Sequence, residues 1–134
     1  MNYLTNGLSF RTLRAANLKR LPQFKNNKGE PAHTKEDGSD WSVSDWVECV
    51  TGELGEFANL HKKFRRGDIS QEEFDKEGRK EIADIQIYLD ILAYRLDIKL
   101  EDAVVEKFNE TSDKVGSNII LGSDDDWHYK KQQP

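Results

Sequence analysis

Four acidic residues fall into two pairs with the same spacing. Glu53 and Glu56 lie three residues apart in the stretch GELGEFAN, and Glu81 and Asp84 lie three apart in the stretch EIAD. Side chains three apart on an α-helix share a face, so each pair would hold two carboxylates side by side. Because 24 residues separate Glu56 from Glu81, the chain has room for a turn and an antiparallel return that would bring all four together.

A cluster of this kind is unfavourable on its own, because like charges at close range raise one another's pKa. A hard cation between the oxygens removes that cost, and an all-oxygen site suits Mg²⁺ or Mn²⁺ better than zinc. The alternative is two ordinary solvated helix faces, since a single Glu-x-x-Glu pair arises by chance on many surface helices. The repetition of the pair favours a metal site, and we predict that all four acids are metal ligands and catalytic residues.

The elements that would position these acids are helices. Apolar residues at helical spacing, with capping residues before them, predict an all-α bundle of four to five helices. Ser42 with Asp45 and Ser70 with Glu73 are capping-box starts, and Gly78 is a candidate break in the third helix. The predicted helices run from about Ser9 to Arg20, from Ser42 to the basic turn just before Gly67, from Ser70 to Leu96 and from about Leu100 to Val115.

We expect one domain over residues 1–134, with a core at 41–117, an N-terminal helix and loop at 1–40 and an irregular tail at 118–134. Residues 23–41 form a loop that is long for so small a chain. A net charge of −5 argues against a nucleic-acid polymer as partner. The lone Cys49 cannot form an intrachain disulfide, and no apolar run is long enough for a membrane span or signal peptide. These features predict a cytoplasmic protein with no membrane partner.

The two acidic pairs in this order resemble the signature of the all-α nucleoside triphosphate pyrophosphohydrolases, and of their MazG-like branch in particular. GELGEFANLHKKFRRGD resembles the first motif helix of that branch, EIADIQIYLDILA the second, and VVEKFNETSDKVGS the last. The likeness covers about residues 41–117. It implies hydrolysis of a nucleoside triphosphate between the α and β phosphates, giving a monophosphate and pyrophosphate. It also implies Mg²⁺, with Mn²⁺ as a substitute, held by Glu53, Glu56, Glu81 and Asp84.

Several further residues are candidates for binding the substrate. Lys107 and Asn109 match the last motif, and Lys114 stands where many relatives carry arginine, so it keeps the charge but loses bidentate geometry. Asn59 follows the first acidic pair, as a cap on the site or as a mere helix neighbour. Lys63 could reach phosphate, although a helix C-terminus also favours it.

Aromatic rings suit nucleobases, which points to Tyr88, Trp46 or Trp41, with core packing the competing interpretation of Trp46. The resemblance leans toward purine deoxynucleotides. A pyrimidine-specific dUTPase- or dCTPase-like enzyme and a non-catalytic helical module that binds a metal or a partner are the alternatives. Because the helices are few and their apolar faces wide, we also expect a homodimer or a homotetramer built as a dimer of dimers.

Overall fold

The computed structural model describes residues 7–122 and 127–130 of the chain. Helices dominate this part, as predicted, and residues up to Asp97 and from Ile98 onward form two compact units. None of the described helices is long and apolar enough to cross a membrane. The elements are α1 (Phe10–Arg20), α2 (Val43–Arg65), α3 (Gln71–Arg95), α4 (Leu100–Lys114), β1 (Ile119–Leu121) and β2 (Trp127–Tyr129).

Helices α2 and α3 pack along each other as a hairpin. At the start of α2, Ser42 Oγ accepts a hydrogen bond from the Asp45 N–H, and the Asp45 carboxylate accepts one from the Ser42 N–H, which confirms the predicted capping box. The chain leaves α2 through Gly67, whose φ of 77° is readily adopted only by glycine. Ser70 then caps α3 by accepting a hydrogen bond from the Glu73 N–H.

Gly78 does not break α3, contrary to the possibility raised from the sequence, and the helix runs unbroken from Gln71 to Arg95. The residue is buried, and a Cβ placed on it would lie 3.4 Å from the Phe57 ring. Phe57 and Phe64 of α2 both contact the Phe74 ring of α3. Gly78 therefore marks a close approach of the two helices, and this packing offsets its low helix propensity.

Helix α1 is joined to α3 by a buried polar network. The Asp90 carboxylate is fully buried and accepts hydrogen bonds from Arg14 Nε and Asn17 Nδ2, both at 2.9 Å. Asn17 Nδ2 also reaches the Ile87 carbonyl oxygen at 3.2 Å. A buried carboxylate is costly unless it is paired and hydrogen-bonded, and α1 supplies both partners.

A short 3-10 helix, Leu21–Gln23, follows α1 directly. Residues 24–41, called the strap below, connect it to the start of α2. As predicted, the strap contains no helix, but it is folded back on itself by two isolated bridges, Lys25 with Pro31 and Thr34 with Asp40. Two polar turns shape it, since Asn26 Oδ1 accepts hydrogen bonds from two backbone N–H groups and Asp37 Oδ1 from one. The strap packs its His33 and Trp41 rings against Trp46 of α2.

The second unit pairs α4 with two short strands. The tail was predicted to be irregular, and this is wrong for its described part, because β1 and β2 form an antiparallel ladder that pairs Ile119 with Tyr129 and Leu121 with Trp127. The side chain of Asn109 stabilises the ladder, since it donates to the Leu121 carbonyl oxygen at 3.0 Å and accepts from the Leu121 N–H at 2.8 Å. The apolar run NIIL that feeds β1 was the sequence signal for this strand.

Candidate metal centre

Three of the four predicted acids meet between α2 and α3. Glu53 on α2 and Glu81 and Asp84 on α3 each present a carboxylate oxygen within 4.8 Å of the others. All three residues are half-buried. The antiparallel return of α3 along α2 produces this meeting, because the one-turn spacing of Glu81 and Asp84 aims both side chains at the same stretch of α2.

Glu56 lies beside this trio without being part of it. The residue is exposed and falls outside the group of oxygens that lie within mutual reach. Its charge nevertheless acts on the cluster, since it contributes to raising the pKa of both Glu53 and Glu81. The predicted role of Glu56 as a ligand stays a prediction.

The clustered carboxylates repel one another. Burial raises the pKa of Glu53, and the neighbouring charges of Asp84, Glu56 and Glu81 raise it further. Burial likewise raises the pKa of Glu81, with Glu56 and Asp84 adding to the effect. Both groups therefore hold protons more tightly than exposed carboxylates do, and a bound cation would relieve the same repulsion.

The arrangement fits a small hard cation. Oxygens bound to one Mg²⁺ at about 2.0–2.1 Å lie roughly 3–4 Å apart, so the trio needs only small rotations of flexible Glu side chains to close on an ion. Three carboxylates and no nitrogen or sulfur ligand match the hard-ion preference.

An aromatic cluster adjoins the carboxylates. Tyr88 lies one turn beyond Asp84 on α3, and burial raises its pKa, with the charges of Cys49, Glu53 and Asp84 as further causes. Trp46 is fully buried, with its ring centroid 5.1 Å from that of Trp41 and 6.4 Å from that of Tyr88. This burial favours core packing for Trp46. The half-buried Tyr88 and Trp41 keep exposed surface for a base.

The remaining candidates on α2 lie beyond the cluster. Asn59 and Lys63 are exposed and follow Glu56 by one and two helical turns. In the part of the chain that the structure describes, no hydrogen bond or ion pair joins either side chain to the four acids. Their predicted contacts with substrate stay predictions.

The candidates on α4 are engaged with their own unit. Lys107 and Lys114 both pair with the Glu110 carboxylate, at 2.8 and 3.0 Å, and Asn109 holds β1 through the two hydrogen bonds described above. These two exposed ion pairs contribute little stability, so either lysine could leave Glu110 and bind another anion. Asn109, in contrast, has a structural task that its place in the motif did not suggest.

Sequence reasoning gave little weight to two groups that organise this region. One is His33, which contacts Trp41, Trp46 and Tyr88. The other is Arg95, which forms an ion pair of 2.7 Å with Asp40 and lies 5.5 Å over the Trp46 ring. The contacts of His33 with Tyr88 and of Arg95 with Asp40 join residues about fifty-five positions apart, so no local sequence pattern predicts them. Asn17 did leave a signal, as a polar residue on the apolar face of the first helix.

The two pairs predicted that four acids meet. Three of them, Glu53, Glu81 and Asp84, do so, and Glu56 lies outside this group. No family model matches the chain, and no curated protein and no solved structure matches it either.

Proposed function

We propose that this chain is a metal-dependent nucleotide pyrophosphohydrolase, which cleaves a nucleoside triphosphate between the α and β phosphates to a monophosphate and pyrophosphate. The observation that carries the proposal is the meeting of Glu53, Glu81 and Asp84 within 4.8 Å on facing helices. The sequence likeness to the MazG-like enzymes supplies the reaction. A lean toward purine deoxynucleotides is part of the proposal and rests on that likeness alone.

In this proposal Glu53, Glu81 and Asp84 hold Mg²⁺, or Mn²⁺ in its place. The ion would neutralise the triphosphate and lower the pKa of an attacking water. The chain's own contribution is to fix three oxygens on two packed helices, so that little rearrangement is needed on binding. Glu56, exposed next to the trio, is placed to accept a proton from water or to orient it.

The proposal names further residues as candidates for binding the substrate. The sequence likeness alone supports Lys107 and Lys114 as phosphate-binding residues, and each now pairs with the exposed Glu110 in a weak ion pair. Tyr88 lies one turn beyond Asp84 on α3 and is half-buried, and its exposed surface suits stacking on a base. A preference for one base would depend on these contacts.

We also propose that the working form is a dimer, or a dimer of dimers, of this chain. Among the described residues only three hydrophobic side chains are buried, those of Trp46, Ile91 and Ala93. Two apolar stripes with seven-residue steps remain uncovered, and they include Leu54 at 55% and Ile82 at 51% exposure. Apolar stripes of this period are typical of helix faces that pack against another helix. The stripe residues are Val47 and Leu54 on α2, and Ile82, Leu89 and Leu96 at α3.

The charges along α2 support pairing with a second copy. Its first part carries Asp45, Glu48, Glu53 and Glu56, whereas its last turn carries Lys62, Lys63 and Arg65. A two-fold axis across this helix would set two copies antiparallel, with the acidic part of each against the basic end of the other. A parallel arrangement would set like charges together.

The activity is tested by pyrophosphate release from each common nucleotide and deoxynucleotide in Mg²⁺ and in Mn²⁺. We expect turnover with at least one of them, and loss of turnover on addition of a chelator. Glu53→Gln and Asp84→Asn should lower it by a factor of about 100 or more, since each removes a charged ligand. Glu48→Gln, an exposed acid elsewhere on α2, is the matched control and should keep full activity.

Two results would count against the proposal. One is the absence of turnover with every nucleotide in both metals. The other is full activity in Glu53→Gln and Asp84→Asn proteins that retain their helical circular dichroism. Turnover restricted to dUTP or dCTP would keep the reaction and correct the base preference.

A further inference from the structure

The strap is held to the helices by a histidine set among aromatic rings. The His33 ring stacks on Trp46 with centroids 5.4 Å apart and an interplanar angle of 16°. It meets Phe24 and Trp41 edge-on, at 5.2 and 4.9 Å, and Tyr88 at 6.2 Å. His33 therefore contacts both α2 and α3, which the strap also reaches through the Trp41–Trp46 contact and the Asp40–Arg95 ion pair.

The surroundings of His33 disfavour a charged imidazole. Its Nδ1 atom is buried and has no hydrogen-bond partner among the described residues. A protonated ring would carry an N–H at this atom with no acceptor for it, which is costly in an apolar setting. The indole Nε1 of Trp46 is also buried and unpartnered in the described part of the chain, and as a donor it cannot compensate.

The nearest charges do not offset this cost. A cation on an indole ring is favourable, but the Arg95 guanidinium already lies 5.5 Å from the Trp46 ring. A charged His33 would place a second cation on the same ring. Asp40 is engaged by Arg95 at 2.7 Å. The titratable or charged groups around the rings that His33 contacts are Arg20 from α1, Cys49 and Glu53 from α2, Asp84, Tyr88 and Arg95 from α3 and Asp40 from the strap.

Burial lowers the pKa of His33 from its ordinary value of 6.5. The folded form thus binds fewer protons than the released form at pH values just below 6.5. The contribution of His33 to holding the strap is complete above that value and is lost as the pH falls through the folded pKa. The direction is opposite to that of the raised pKa values in the acidic cluster.

We propose that His33 is a pH-sensitive latch, whose neutral ring holds the strap on α2 and α3 and whose protonation releases it. Release would uncover Trp46 and the ring face of Tyr88 that His33 contacts, without unfolding the helices. In the described part of the chain His33 forms no hydrogen bond or ion pair with the four clustered acids, two of which, Glu53 and Asp84, act on the neighbouring Tyr88.

The latch is tested by acrylamide quenching of Trp41 and Trp46 fluorescence in the full chain, with Trp127→Phe as background. The titration runs from about pH 8 to about pH 5, which spans ordinary histidine protonation. We expect the quenching constant to rise several-fold as the pH falls, while the helical circular dichroism stays constant. His33→Phe keeps an aromatic ring that cannot charge and should show low quenching throughout.

His61→Phe is the matched control, because His61 is exposed on α2 and contacts a single phenylalanine ring. It should leave the pH response unchanged. His33→Gln should give strong quenching that does not depend on pH. This variant replaces His33→Phe in the test if the Phe variant does not fold. An equal pH response in the His33 variants would overturn the latch, as would loss of helical signal over the same range. A His33 pKa of 6.5 or above, measured by NMR titration, would overturn it as well.

Discussion

At the scale of single residues, the cost of bringing carboxylates together is concentrated on Glu53 and Glu81. Each has a raised pKa, caused by burial first and by the neighbouring acids second. The metal-free folded chain therefore binds more protons than the unfolded chain above the ordinary value of 4.5. This contribution to stability is complete below that value and is lost as the pH rises through the folded pKa values. Repulsion within the cluster thus lowers the stability of the metal-free chain at neutral pH.

Glu81→Gln tests this relation directly. The neutral amide removes one of the repelling charges at nearly constant size, so we expect the variant to be more stable than the unmodified chain at neutral pH in chelator. Its stability should also fall less between about pH 5 and about pH 8. Urea unfolding at both pH values measures the difference, and Mg²⁺ should stabilise the unmodified chain more than the variant.

Glu77→Gln is the comparison on the same helix. The Glu77 carboxylate accepts a hydrogen bond from Lys80, which lowers its pKa, so its removal should not stabilise the protein. A Glu81→Gln chain less stable than the unmodified one in chelator would show that contacts made by the Glu81 carboxylate outweigh the repulsion between the acids.

At the scale of elements, the hairpin of α2 and α3 places Glu53 opposite Glu81 and Asp84, and Gly78 sits where the two helices come close. Gly78→Ala adds a Cβ 3.4 Å from the Phe57 ring, at the near limit of ordinary van der Waals contact. Alanine also favours helix by about 1 kcal/mol over glycine. We expect a small net rise in the free energy of unfolding, below that figure.

Gly52→Ala shows the effect of helix propensity alone, because no described atom lies within 4 Å of the added Cβ. It should therefore stabilise the chain more than Gly78→Ala does. Gly78→Val adds branched bulk against Phe57 and should lower stability. Chemical denaturation of the three variants ranks them, and an equal gain for both alanine variants would mean that Phe57 imposes no constraint at Gly78.

Features of the fold were predictable from the sequence where the residues that determine them lie close together in the chain. Ser42 with Asp45, and Gly67 after a basic turn, specify their helix ends through contacts within a few residues, and the structure agrees. The acidic pairs were predictable for the same reason, with one added assumption that two consecutive helices pack antiparallel. That assumption does not predict that Glu53 belongs to the trio of acids while Glu56 lies outside it.

Long-range contacts were not predictable from local pattern. The network of Asp90 with Asn17, and the pair of Asp40 with Arg95, join residues more than fifty positions apart. The motif around Asn109 predicts a substrate ligand, whereas in the fold its amide pairs with the Leu121 backbone. In each case the partner is set by tertiary packing, which a one-dimensional period does not contain.

At the scale of the whole molecule, few hydrophobic side chains are buried in the part of the chain that the structure describes. Three hydrophobic side chains are buried in the described part, whereas Leu54, Ile82 and other large apolar residues of α2 and α3 are about half exposed. Exposed apolar patches on a protein surface often mark interaction sites. The opposite charges at the two ends of α2 are the reason for proposing a second copy as the partner.

Leu54→Glu tests the assembly, because it places a charge at the most exposed position of the α2 stripe. If a second copy covers this face, the variant loses apolar burial and gains a buried charge, and we expect a monomer by light scattering at micromolar concentration, where the unmodified chain is a dimer or tetramer. Leu8→Glu is the matched control, since Leu8 is comparably exposed, at 63%, but lies before α1 and off both stripes. It should leave the mass unchanged. A monomeric unmodified chain would refute the assembly, and a Leu54→Glu chain with unchanged mass would place the interface on another face.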